Sequence, residues 1–205
     1  MSSNKSEFKS FNNQTTQIMT RDDILKLKAV ALYIIHKFGE VDILRIFKIL
    51  YFAEKEHYAK YGRRIVNDTY FAFERGPVPS ALYDAIKITQ GKNSISNYPQ
   101  LGVISNSLCV GSDVSLDYII AGKELPDMTE LSKSDIWCID KSFNENKYLD
   151  YNALSEKSHD IAWTDAWNRT KNSAINPILI AQASGANEAM MEYIKENELI
   201  NEIIG

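Results

Sequence analysis

The chain is poor in several things at once, and each shortage removes a class of protein. Only two cysteines occur in 205 residues, Cys109 and Cys138, far apart in the chain. Two are too few for a disulfide framework, and their separation has no metal-ligand spacing. Buried, reduced thiols in a cytoplasmic protein are the simplest reading. Long apolar runs are missing: Val30 to Ile35 and Ile49 to Ala53 fall far short of the ~18 residues that a membrane helix needs. The opening MSSNKSEFKS holds no apolar stretch of signal-peptide type. Basic residues have no surplus, since 23 Lys and Arg stand against 27 Asp and Glu, a net charge of -4. Nucleic-acid binders replace phosphate counterions with Lys and Arg, so this balance argues against DNA or RNA as the main partner. No glycine-rich phosphate loop or dinucleotide fingerprint is present, so no cofactor is expected.

What is there suits one globular domain. Hydrophobic residues make up 44% and aromatics 11%, with eleven Tyr, enough for a continuous core and against disorder of the whole chain. Residues 1–19, rich in Ser, Asn, Gln and Thr, are expected to form a flexible tail, and residues 20–205 a single domain. The pattern predicts a mainly α, compact helical domain with a short β-hairpin. Thr20 and Asp23 form a capping box ahead of Ile24, Leu27, Ala31, Ile34, Ile35 and Phe38 on one face, and Gly39 stops that helix. A second helix follows Asp42 and runs to Tyr61. Phe47, Leu50, Tyr51, Tyr58 and Tyr61 form its apolar stripe, while Arg45, Lys48 and Lys55 share another face. Thr69 to Phe73 reads as a strand, and the prolines of Gly76-Pro77-Val78-Pro79 fix an extended loop before a third helix that begins at Pro79. Leu108 to Val110 and Val114 to Ile120 are candidates for a hairpin around Gly111-Ser112. Later helices start at Ser132-Lys133-Ser134-Asp135, at Tyr151 and at Asn176-Pro177. A last amphipathic helix, Ala186 to Ile204, is expected to turn Ala189, Met190, Tyr193, Ile194, Ile200 and Ile204 inward.

Catalytic patterns are sparse. Glu54 and His57 share a helix face as Glu-x-x-His, but a di-metal carboxylate site needs that motif on two helices and only one is present. The zinc-protease arrangement of two histidines around a glutamate is absent. A metal-dependent hydrolase would have to draw on Glu54, His57 and His159, and a structural His57 is the better expectation. Cys109 or Cys138 with His159 as base would need proximity and a lowered thiol pKa, which the sequence does not indicate. Arg63, Arg64 and Arg75 are read first as solvated residues or as ion-pair partners of Glu54, Glu56 or Glu74.

One stretch is more specific. Phe47-Lys48-Ile49-Leu50-Tyr51-Phe52 is followed by Gly62-Arg63-Arg64-Ile65, by Tyr70 with Ala72, by Gly76-Pro77-Val78-Pro79 and by Leu82-Tyr83. In order and spacing this resembles the Panacea (SocA-like) antitoxin domain. Leu131 to Asp135 resembles that family's second helix start. Ser155 to His159 with Ala162-Trp163 resembles its histidine-tryptophan element, although Lys157 stands where the family often has leucine. The resemblance spans roughly Ile24 to Trp167.

The resemblance implies an antitoxin of a bacterial or phage toxin–antitoxin pair. It would bind its toxin directly, and some relatives hand the toxin to a Clp-type protease. It implies a binding protein without an active site. A DNA-binding autoregulator is the remaining alternative, and neither the acidic balance nor a clear recognition helix favours it. The segment Tyr70 to Ser80 combines aromatics, an expected free strand edge and a rigid turn. Rigid loops lose little entropy on binding, and Tyr and Arg are frequent interface anchors. Tyr70, Phe73, Arg75, Gly76, Pro77, Val78 and Pro79 are therefore the expected toxin contacts.

Overall fold

A computed structural model describes residues 19–92, 99–113 and 116–204. The tail expected at 1–19 lies outside these residues except for Met19, which is buried in the core. The elements in chain order are α1 (Arg21–Phe38), β1 (Glu40–Asp42), α2 (Ile43–Tyr61), β2 (Tyr70–Phe73), β3 (Gly76–Pro79), α3 (Ser80–Thr89), α4 (Gly102–Ser105), β4 (Leu108–Val110), β5 (Ile119–Gly122), α5 (Lys133–Asn146), α6 (Tyr151–Lys157), α7 (Ile161–Arg169), α8 (Pro177–Ala183) and α9 (Glu188–Ile204). The fold is mainly α with two small antiparallel sheets.

Local chemistry sets most of these boundaries. Both expected capping boxes form: Thr20 and Asp23 exchange bonds at the start of α1, and Ser132 and Asp135 do so at α5. Asp42 accepts from the Arg45 amide to start α2, and Gly62 ends it in the left-handed conformation. Pro79 caps α3 but offers no side-chain acceptor. Asp68 takes over, accepting from the Ala81 and Leu82 amides at 3.0 and 3.1 Å. Pro79 thus belongs to β3 and not to the first helical turn.

The second helix is the axis of the molecule. It packs along α5 and also meets α1, α6, α8 and β3. Its buried positions run from Ile46 to Tyr58, whereas Tyr61 is exposed. The expected cationic face is split: Lys48 is fully buried, while Arg45 and Lys55 lie near the surface in ion pairs with Asp42 and Asp160. On α1 the expected face is buried apart from Phe38, which sits edge-on to Phe143 with ring centroids 4.8 Å apart. Among the α9 residues whose side chains are described, up to Ile200, only Ile194 is buried, with Met190 packed beside it, and Ile204 lies outside them. Ala189, Tyr193 and Ile200 face outward, so that helix is more peripheral than its pattern suggests.

The expected hairpin from Leu108 exists, but β4 pairs with Ile119–Gly122, and β1 adds a third strand on the far side of β5. Val114 and Ser115 lie outside the described residues. In the second sheet, Tyr70 pairs with Pro79 and Phe73 with Gly76, leaving Glu74 and Arg75 as a two-residue turn. The edge of β2 is not free. The Ala72 amide donates to Ser173 O at 2.9 Å, the Ile175 amide donates to Tyr70 O at 2.8 Å, and Phe71 bridges Ala174.

Candidate functional site

The hairpin of β2 and β3 is held from below by two side chains. Trp163 Nε1 donates to Phe73 O at 2.8 Å. Lys48 Nζ donates to Pro77 O at 2.8 Å. At Gly76 the backbone has φ of +97°, and an added Cβ would stand 2.8 Å from Lys48 Nζ and closer still to Ser158 Oγ. A side chain is therefore excluded at Gly76 by both conformation and space. Beneath the hairpin, His159 stacks on Trp163 at 3.7 Å between ring centroids, and Trp163 stacks on Trp167 at 5.3 Å.

Between this hairpin, the start of α2, Tyr83 of α3, the Tyr118–Ile119 stretch and Tyr151 of α6 lies an open groove of about 770 Å³. Its walls are mostly apolar, with Phe47, Phe73, Val78 and Tyr83 among them. Phe47 and Phe73 each meet Tyr83, at 6.0 and 5.8 Å between centroids. Three charged residues line the groove: Asp42, Lys48 and Arg75. Asp42 is occupied by the Arg45 amide and guanidinium. Arg75 is exposed, its guanidinium 5.1 Å from the centre of the Tyr151 ring. Among the described residues, neither Lys48 nor Arg75 has a carboxylate partner. Burial pushes the Lys48 amine down to about 7, because a cation removed from water is disfavoured. Burial, with the nearby Lys48, also lowers the pKa of His159.

The expected contact residues divide sharply. Phe73, Arg75 and Val78 line the groove, and Arg75 is exposed. Tyr70, Gly76, Pro77 and Pro79 are buried. Tyr70 meets Tyr51 edge-on at 5.4 Å and belongs to the core instead of a surface patch. Phe73 is half-buried, and Val78 retains 9% of its exposure. Lys48, Tyr83 and Tyr151 were missed. The partner carbonyl of Lys48, Pro77 O, lies 29 residues further on, so the helix pattern around Lys48 carried no sign of it.

Glu54, His57 and His159 do not converge. Glu54 is buried and accepts from the Ile65 and Val66 amides at 2.7 and 3.0 Å, shaping the turn after α2. Burial raises its carboxyl to about 7 against the pull of those amides. His57 Nδ1 lies 2.8 Å from Arg63 O, which can only accept, so that nitrogen carries a proton. Its Nε2 is 3.1 Å from Ser134 Oγ and 3.2 Å from Asp135 Oδ1. Asp135 also receives Lys26 Nζ at 2.7 Å. Burial works against its ionisation, but the bonds from His57, Lys26 and Ser132 prevail and hold it well below the usual carboxylate range. This cluster ties α1, α2 and α5 together. His159 sits elsewhere, in the stack under the hairpin. No group of three or more potential metal ligands occurs among the described residues. Cys138 is buried, and burial pushes its thiol up to about 12. Of the three arginines, Arg64 pairs with Glu198 and also acts electrostatically on Glu54, Arg63 lies 3.8 Å from Asp135, and Arg75 is exposed.

The arrangement is that of a helical domain with a preformed apolar groove, one wall of which carries a buried, unpaired lysine. The chain belongs to the SocA-like antitoxins: the family's Panacea domain matches residues 46–164, from the first turn of α2 to the middle of α7. Every residue of the groove except Asp42, Ile43 and Leu44 falls inside that span. Membership places the chain in toxin–antitoxin biology. Neither the curated proteins nor the solved structures searched contain a match. No helix among the described residues is long and apolar enough to cross a membrane.

Proposed function

We propose that the chain neutralises a cognate toxin by direct protein–protein contact through the face that carries the groove. Family membership carries the reading, and the groove supports it. It is concave, apolar and framed by rigid elements, as binding sites are, and the tip residue Arg75 projects beside it. On this reading the protein works by occupancy in the cytoplasm and has no turnover of its own. Delivery of the bound toxin to a Clp-type protease is a further step that the same contact could serve.

The test is co-expression with the adjacent open reading frame. That frame should be lethal alone and harmless with this protein, and the two products should co-purify. If no adjacent frame is toxic, or if the protein rescues none, the reading fails. A protease role adds a second readout: the toxin's half-life should fall when this protein is present and recover in cells lacking Clp proteases.

A further inference from the structure

Lys48 is an anomaly among the charged residues of the molecule. Buried charges are normally paired, because an uncompensated ion inside a protein is costly. Lys48 is 1% exposed, yet one carbonyl oxygen, that of Pro77, is its only acceptor among the described residues. An ammonium has three donors. Nearby groups do not supply the missing anion. Asp42 across the groove is held by Arg45. Asp160, at the start of α7, is held by Tyr51 and Lys55. His159 is basic, and Ser158 donates its hydroxyl to Ser155 O. Arg75 brings a second cation without a carboxylate partner to the same groove, and the walls between them are aromatic and aliphatic.

We infer that the groove captures an acidic-aromatic peptide segment of the partner, its carboxylate held by Lys48 and Arg75 and its apolar side chain seated against Phe47, Phe73 and Tyr83. The charge complementarity selects this occupant. Two cations without counter-ions in an apolar groove favour an anion with an apolar neighbour, and they reject a basic or purely apolar segment through the unpaired charge left behind. Arg75 offers planar, two-pronged recognition of a carboxylate, and Lys48 a compact charge. Gly76 belongs to the device, because any side chain there would drive into the Lys48 amine and Ser158.

The inference rests on the groove being the toxin-binding face, but its test needs no toxin. The capped peptide acetyl-Phe-Glu-Leu-amide and its Gln counterpart are titrated by NMR at pH 6, where the Lys48 amine keeps its proton, into the purified full-length chain. The Glu peptide should bind at least fivefold more tightly, with shifts centred on Lys48, Phe73 and Tyr83. Lys48→Met should erase the preference. The exposed Arg75→Gln should reduce it at least twofold, and this arm stands if Lys48→Met does not fold. Equal binding of the two peptides, or a preference untouched in both variants, overturns the inference. Tighter binding of free 3-phenylpropionate than of the Glu peptide overturns it too, making the groove a small-molecule site. Failure here with intact toxin rescue removes the groove chemistry and leaves the antitoxin reading standing.

Discussion

Replacing Lys48 with methionine should make the protein more stable, and the gain should depend on pH in a defined direction. The amine has its pKa pushed from 10.5 to about 7 by burial. At about 1.36 kcal/mol per pH unit, that interval weighs against the folded, charged form by roughly 5 kcal/mol. Between pH 7 and 10.5 the unfolded chain binds a proton that the native chain does not, so stability rises with pH through this window. Below about pH 7 the native state carries the buried charge and the full penalty. Methionine has a similar volume and no charge. It forfeits the bond to Pro77 O, a loss of about 1–3 kcal/mol that includes the carbonyl left unpaired. The expected net gain at pH 7 is about 2–4 kcal/mol, after subtracting that loss from the charge penalty. Urea unfolding at pH 7 and pH 9.5 measures it. Wild type should gain stability over this interval relative to Lys48→Met, and the variant's advantage should vanish or reverse by pH 9.5. A variant less stable than wild type at pH 7, or parallel pH dependence in both proteins, would refute the reasoning.

Four further outcomes follow from the geometry. Tyr70→Ala should lower stability by about 3–5 kcal/mol, the usual cost of removing a buried aromatic ring, whereas Arg75→Ala should leave the melting temperature nearly unchanged and still lose toxin rescue; thermal melts and co-expression separate the two. Burial raises Glu54 from 4.5 to about 7, so its contribution is present below pH 4.5 and lost as pH rises through 7; chemical denaturation across pH 4.5–7 should show less of that decline in Glu54→Gln. Gly62→Ala should destabilise the packing of α9, since φ is +65° and a Cβ would stand 2.7 Å from Met190 Sδ and Tyr193 Cδ1; proteolysis should then cut within α9 first. Binding to the chain's own promoter should vanish at physiological salt, given a net charge of -4, and a mobility shift that survives that salt would contradict this.

Helix starts were readable because their causes are local. Thr20 and Asp23, Ser132 and Asp135, and Asn176 each satisfy amides within three residues, so sequence and structure report the same bonds. The same holds for Gly39 and Gly62 as stops. What escaped depends on distant partners. Lys48 looks like a surface cation until the hairpin at Gly76 to Pro79 closes over it. The third strand β1 has three residues, too few for its alternation to stand out. The edge of β2 looked open because the segment that seals it lies about a hundred residues later. Of the groove lining, Phe73, Arg75 and Val78 belong to the turn motif that the sequence singled out. Tyr83 and Tyr151 were not, since only tertiary packing brings them to the same groove.

That late seal has a consequence for how the protein is made. Residues 172–175 pair with β2, so the hairpin that frames the groove keeps a raw edge until this stretch has left the ribosome. Domains emerge N-terminal end first, and an unpaired edge is a template for adding a foreign strand. A fragment ending at Thr164, where the family match stops, would carry the whole groove and still expose that edge permanently. Such fragments should pair with one another in solution, whereas a chain extended through Ile175 should not. Residues 172–175 therefore act as a clasp whose timing decides whether a nascent chain matures alone or tangles with its neighbours.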